Sequence, residues 1–161
     1  MSQPQVVPVQ LKAVVPAANG AALFLGTEEK TFVIYVDANV GHAINMFVSE
    51  TEKERPLTHD LMAHFLAAFG AKVERAVIND VKNSTFFARL IISAENELHQ
   101  RKIIELDARP SDGIAMAIQQ KAPLFVSRDV LDEVDDASDA LKQLESSKDE
   151  DDSFGGEKDS G

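Results

Sequence analysis

Two short stretches place arginine, proline, a hydroxyl residue and acids where helices would start: RPLTHD at Arg55–Asp60, and DARPSD at Asp107–Asp112. Guanidinium groups grip phosphate in bidentate fashion, and the free N–H groups of a helix start attract anions. Arg55, Arg109 and Ser111 are therefore the candidate phosphate-binding residues. Asp107 and Asp112, five positions apart, could share a divalent metal, Mg or Mn, that activates water for attack on a phosphodiester. His59 lies where the helix dipole disfavours its protonated form, which suits a general base or a ligand, with Asp60 beside it. The candidate catalytic set is thus His59, Asp60, Asp107 and Asp112, with Asp107 and Asp112 as the metal pair. A purely structural reading uses the same atoms: Thr58 caps one helix, Asp112 complements the dipole of the other, and Arg109 pairs with a neighbouring acid.

The elements that must hold these residues are legible from periodicity. Val7 to Val15, Ala22 to Leu25 and Thr31 to Val36 read as strands, with Asn19-Gly20 as a turn between the first two. Val40, Ala43, Ile44 and Phe47 fall on one helical face. The next helix, from Thr58, carries an apolar stripe of Leu61, Phe65, Ala68 and Phe69, and Gly70 is placed to end it in the left-handed region. Val73–Val81 and Thr85–Ser93 form a hairpin around Lys82–Ser84. Ile103–Leu106 is a further strand, followed by a helix from Pro110 to about Gln120 and a short strand at PLFVS. Asp129–Val134 and Ala137–Leu144 read as one broken helix.

VIYVDANVGHAINM (Val33–Met46) and IIELDARPSDGIAM (Ile103–Met116) align without a gap at a separation of 70 residues. The chain therefore reads as two β-β-β-α halves with the Thr58 helix inserted between them. The aspartate of the joint, Asp37 or Asp107, is common to both copies and so reads as structural. The Arg-Pro-Ser-Asp cluster belongs to the second copy alone. The expected fold is α+β: one compact domain with a mixed or antiparallel sheet of six to seven strands and three to four helices. It should occupy residues 1–134, followed by a possible helix at 135–145 and a disordered acidic tail at 146–161.

The formal net charge of −11 is unevenly spread: residues 132–161 carry −9 and residues 1–131 only −2. A body so nearly neutral argues against tight nonspecific nucleic-acid binding. There is no cysteine, which excludes disulfides and thiolate metal sites and fits a cytoplasmic setting. No signal peptide or membrane span is evident, and a homodimer is the expected assembly. Phosphate-loop, dinucleotide and serine-elbow motifs are missing. His42 and His99 are expected to face solvent, His64 lies five residues from His59 rather than at the four-residue spacing of a two-histidine zinc site, and Asp80 and Arg89 are expected to be turn and strand-face residues.

RPLTHDLMAHFLAAFGAKVERAVINDVKNSTFFARLIIS and ELDARPSDGIAMAIQQKAPLFVSRDVLDEV resemble the bifunctional nuclease family. The resemblance covers about residues 5–134 and leaves the tail aside. It implies a compact α+β domain and, from plant members, cleavage of DNA and RNA without sequence specificity. The matching positions are Arg55, Thr58, His59, Asp60, Asp107, Arg109, Ser111 and Asp112. Two departures stand out: Val36–His42 is more polar than is usual for the family, and Gly113 replaces a common alanine. The implied function is a nuclease; the alternative is a non-catalytic binding or regulatory module in which the same polar residues tie the inserted helix to the second half and the acidic tail is an interaction arm.

Overall fold

Alternating Val7, Val9 and Leu11 give a long first strand, β1 (Val6–Ala17), which turns at Ala18-Asn19 into β2 (Gly20–Gly26) and then β3 (Thr31–Val36). The helix expected from the Val40/Ile44 stripe follows as α1 (Ala38–Val48). The inserted helix α2 (Thr58–Ala68) leads into a second meander, β4 (Ala71–Lys82), β5 (Thr85–Glu95) and β6 (Arg101–Ala108), and this ends in α3 (Pro110–Gln120). Then come β7 (Leu124–Ser127), α4 (Arg128–Glu133) and α5 (Ser138–Phe154). This computed structural model describes residues 5–154, with side chains through residue 150. The two β-β-β-α halves expected from the sequence are both present. Seven strands and five helices are formed among the described residues.

All strands join one sheet in the order β3-β2-β1-β7-β4-β5-β6, with β7 antiparallel to β1 and parallel to β4. β1 changes partner along its length. Val6–Val9 pairs with β7, while Gln10–Ala17 pairs with β2 across a register shift at Leu11/Ala13. Five strand spacings of about 4.8 Å would separate β3 from β5 in a flat sheet. The rings of Phe32 and Phe86 nevertheless stack at 6.1 Å. The sheet therefore curls over, and its fold encloses α3, whose Ile114, Ala115, Met116 and Ala117 are almost fully buried. The start of α1 and the start of α3 come together as a result.

The hairpin turn at Asn83-Ser84 has both residues at positive φ, 50° and 63°, the geometry that matches strand twist. Gly70 ends α2 at φ 69°, as expected. A Cβ there would also lie 2.6 Å from the Glu95 carbonyl oxygen.

Three expectations need correction. The apolar stripe of α2 faces outward: Leu61, Phe65, Ala68 and Phe69 are exposed, while His59 and Asp60 are buried. Only Ala63 and Leu66 pack against the main core. The polar pair finds its partners on α3 and in the preceding loop, and that fixes which side of α2 turns inward. The segment read as one broken helix is two, because Val134 is extended and Asp136 starts a new one by accepting from the Ser138 N–H at 3.1 Å. Helix α5 also runs to Phe154, so the disorder expected from residue 146 does not hold for 146–154; residues 155–161 lie outside the described part. Leu141, with Ala137 and Leu144, seats the start of α5 on the outer face of β2. A helix already nucleated propagates at little cost, and the Ser146 and Ser147 hydroxyls bond the carbonyls of Lys142 and Gln143. Among the described residues no helix is long and apolar enough to cross a membrane.

Candidate functional site

Leu57, rather than Thr58, is the last non-helical residue before α2. Asp60 reaches back to accept the Leu57 N–H at 2.8 Å, satisfying a donor that the helix start leaves open. Its carboxylate also meets Lys53 at 3.3 Å and Gln119 Nε2 at 3.4 Å. Burial works to raise the Asp60 pKa, but the Leu57 N–H, Lys53 and Gln119 outweigh it, and the net displacement is downward. Asp60 is thus a fastener that locks the start of α2 against α3.

One residue earlier, His59 points toward the start of α3. Pro110 opens that helix, and Arg109 before it is extended (φ −64°, ψ 143°), as a residue preceding proline must be. This sets Asp112 in the first turn, facing α2. His59 Nε2 lies 3.0 Å from Asp112 Oδ1, and Arg109 Nε donates to Asp112 Oδ2 at 2.9 Å. Arg109 in turn approaches Asp37 Oδ2 at 3.9 Å, and Asp37 caps α1 by accepting the Val40 N–H at 3.0 Å. A chain of polar contacts, His59–Asp112–Arg109–Asp37, therefore links the starts of three helices. Burial raises the Asp112 pKa, while the Arg109 and His59 hydrogen bonds lower it by more, so the carboxyl is held below its usual range. The His59 ring meets Phe47 edge-on at 6.4 Å, and its Nδ1 has no hydrogen-bond partner among the described residues.

The Arg-Pro helix starts thus meet through His59 and Asp112. Their arginines diverge. Arg109 and Ser111 line a cleft of about 810 Å³ together with Asp37, Tyr35 and Phe86. Arg55 lines a second cleft of about 410 Å³ with Asp60, His64 and Lys53. His59 and Asp112 line neither and stand between them. His59 is 6% exposed, whereas the Asp112 side chain is 32% exposed and that of Arg109 67%, so the network is open on its Arg109 side.

Asp107 does not join this group. Its neighbour Ala108 pairs with Ala88, whose Cβ faces Gly113 of α3. Alternation along β6 then turns Asp107 to the opposite face of the sheet, where it is exposed opposite Arg89. The metal pair Asp107/Asp112 is consequently not assembled. Among the described residues no three His, Cys, Asp or Glu side chains are grouped to hold a metal ion. His42 and His64 are exposed; His99 is exposed too, but pairs with Glu95 at 2.9 Å. Asp80 bonds its own turn, at Val81 N and Lys82.

The aligned copies marked Asp37 as structural, and it is a cap; its second link, to Arg109, had no signal in the sequence. Lys53 and Gln119 gave no signal at all.

A family model described as the bifunctional nuclease domain matches residues 23–139. Two curated relatives, the uncharacterized proteins Rv1829 and MT1877 from strains H37Rv and CDC 1551 of Mycobacterium tuberculosis, are each 32% identical over 131 residues. That span is 81% of this chain and 68% of each relative. The family match takes in both Arg-Pro helix starts, strands β3 to β7 and the pair that joins the two starts: the chain belongs to the bifunctional nuclease domain family.

Proposed function

We propose that the protein hydrolyses phosphodiester bonds of DNA, RNA or both without sequence specificity, using the His59–Asp112 pair as its base. The 3.0 Å contact between His59 Nε2 and Asp112 Oδ1 carries this reading. With the Nε2 proton donated to an ionised Asp112, the neutral ring offers Nδ1 as an acceptor. His59 would take a proton there from the attacking water or ribose hydroxyl as that oxygen bonds phosphorus and the P–O bond to the departing sugar oxygen breaks. Asp112 would stabilise the imidazolium, which then returns the proton to the departing oxygen. Arg109 and Ser111 on one side and Arg55 on the other would hold successive phosphates of a strand lying across the ridge between the two clefts. Asp60 keeps the helix start in place. Asp107 has no part in this geometry.

The protein's own donor set does not fit a metal cage among the described residues, so no step is routed through one. A magnesium or manganese ion enters this reading only as a companion of the substrate phosphates. Binding is expected to be weak and salt-sensitive, since residues 1–131 carry a net charge of only −2. A cytoplasmic setting and a two-fold homodimer belong to the same reading.

The rival reading, a non-catalytic binding or regulatory module, draws on one observation: both Asp112 oxygens are engaged inside the protein. Incubation of the full chain, purified free of host nucleases, with labelled single-stranded DNA and RNA separates the two. Cleavage of unrelated sequences supports the nuclease. Intact substrate with and without added Mg²⁺ or Mn²⁺ favours the module.

A further inference from the structure

From Leu61 to Gly70 the chain has no Asp, Glu, Lys or Arg, and most of this stretch lies in the open. Leu61 is 50% exposed, Met62 41%, Phe65 60% and Phe69 78%. These positions recur at helical spacing, so they form a continuous apolar face on α2, with the small side chains of Ala67 and Ala68 beside it. Leu98, 78% exposed, is at the same end of the sheet, because the Glu95 N–H bonds the carbonyl of Gly70 at the end of α2. Scattered exposed leucines are ordinary, but a contiguous apolar patch of several hundred Å² marks an interaction surface.

We propose that this face of α2 is where two copies of the chain meet. Large side chains carry about 150–250 Å² each, so the four exposed on α2 present roughly 450 Å² of apolar surface. An interface of standard size buries about 800 Å² per partner, a little over half of it apolar. One helix face therefore supplies the apolar share that a stable dimer requires. That match in area is what fits a second copy: residues 1–131 carry a net charge of only −2, and the α2 face is a place where two copies can approach without juxtaposing like charges. No Asp, Glu, Lys or Arg in this stretch marks a strongly charged partner; its one titratable side chain is the exposed His64. A two-fold crossing of α2 on α2 would make the contact self-complementary. It would also hold α2 from outside, while His59 and Asp60 hold it from inside. The assignment is independent of whether the chain cleaves nucleic acid.

Sedimentation equilibrium of the full chain tests it. Interfaces of this size bind at about micromolar affinity or tighter, so at roughly 50 µM the wild type should sediment at twice the chain mass. Phe65→Glu and Phe69→Glu should each halve that mass with an unchanged circular-dichroism spectrum, since both side chains are already exposed in a single copy. Tyr35→Glu, at an exposed position on β3, should leave the dimer mass unchanged. A wild type at the single-chain mass overturns the proposal. So does a dimer that survives both phenylalanine substitutions, or one that dissociates only with Tyr35→Glu.

Discussion

Asp112 accepts from Arg109 with one oxygen and meets His59 with the other, so its charge state sets both the orientation of the ring and the tie between α2 and α3. Its pKa and that of Asp60 are lowered in the folded chain. A carboxyl with a depressed folded pKa stabilises the protein above its unfolded pKa, about 3.9, and loses that contribution as pH falls through the lower folded value. Urea melts should therefore show stability flat from neutral pH to about 4 on this account, then falling. Asp60→Ala should cost about 1–3 kcal/mol at pH 7, the usual penalty for orphaning partly buried partners, and should flatten the acid limb. Gly113 offers the opposite case. A Cβ there would meet Ala76 and Ala88 at 3.8 Å, an ordinary contact, so Gly113→Ala should stabilise α3 by about 0.5–1 kcal/mol. A thermal melt that moves down would show that the site is tighter than its geometry indicates.

At the scale of elements, local chemistry was legible and facing was not. Gly70, Pro110 and the Lys82–Ser84 turn each carry their own backbone instructions, and the chain turns or stops at each, whereas the first turn falls at Ala18-Asn19, one residue before the expected Asn19-Gly20. The stripe on α2 illustrates the limit. Leu61, Phe65 and Phe69 repeat as a core face would, but periodicity says only that a helix has two sides. Which side is buried depends on Asp112, Lys53 and Gln119, residues distant in sequence or silent in pattern. Asp107 fails for a similar reason. Five positions from Asp112 in sequence, it is still on a strand, and strand alternation sends it to the other face of the sheet. Helix α5 gives a test at this scale. Leu141 is buried and Leu144 half-buried against β2, whereas Ser147 to Glu150, the last residues with described side chains, add none to either core cluster. Ending the chain after residue 146 should leave the melting temperature within experimental error, whereas Leu141→Ala should lower stability by about 2–4 kcal/mol. Equal losses from both would mean that the acidic end of α5 contributes to the fold.

The whole molecule brings the site together by curling its sheet. Strand order alone places β3 and β6 at opposite edges, yet Asp37 after β3 approaches Arg109 after β6 at 3.9 Å. No local signal encodes that closure; it follows from the bend in β1 and from the volume of α3 that the sheet must cover. The gapless alignment of Val33–Met46 with Ile103–Met116 marks the two joints as equivalent but carries no sign that they meet. The central claim is that His59 and Asp112 act as one unit on a scissile phosphate. The most direct measurement is a double-mutant cycle on kcat for cleavage of a labelled oligonucleotide, with His59→Ala, Asp112→Asn and the double variant all folded by circular dichroism. The account expects each single change to lower kcat by roughly 10²–10⁴-fold and the double variant to be little worse than either. Parental rates from both single variants would contradict it.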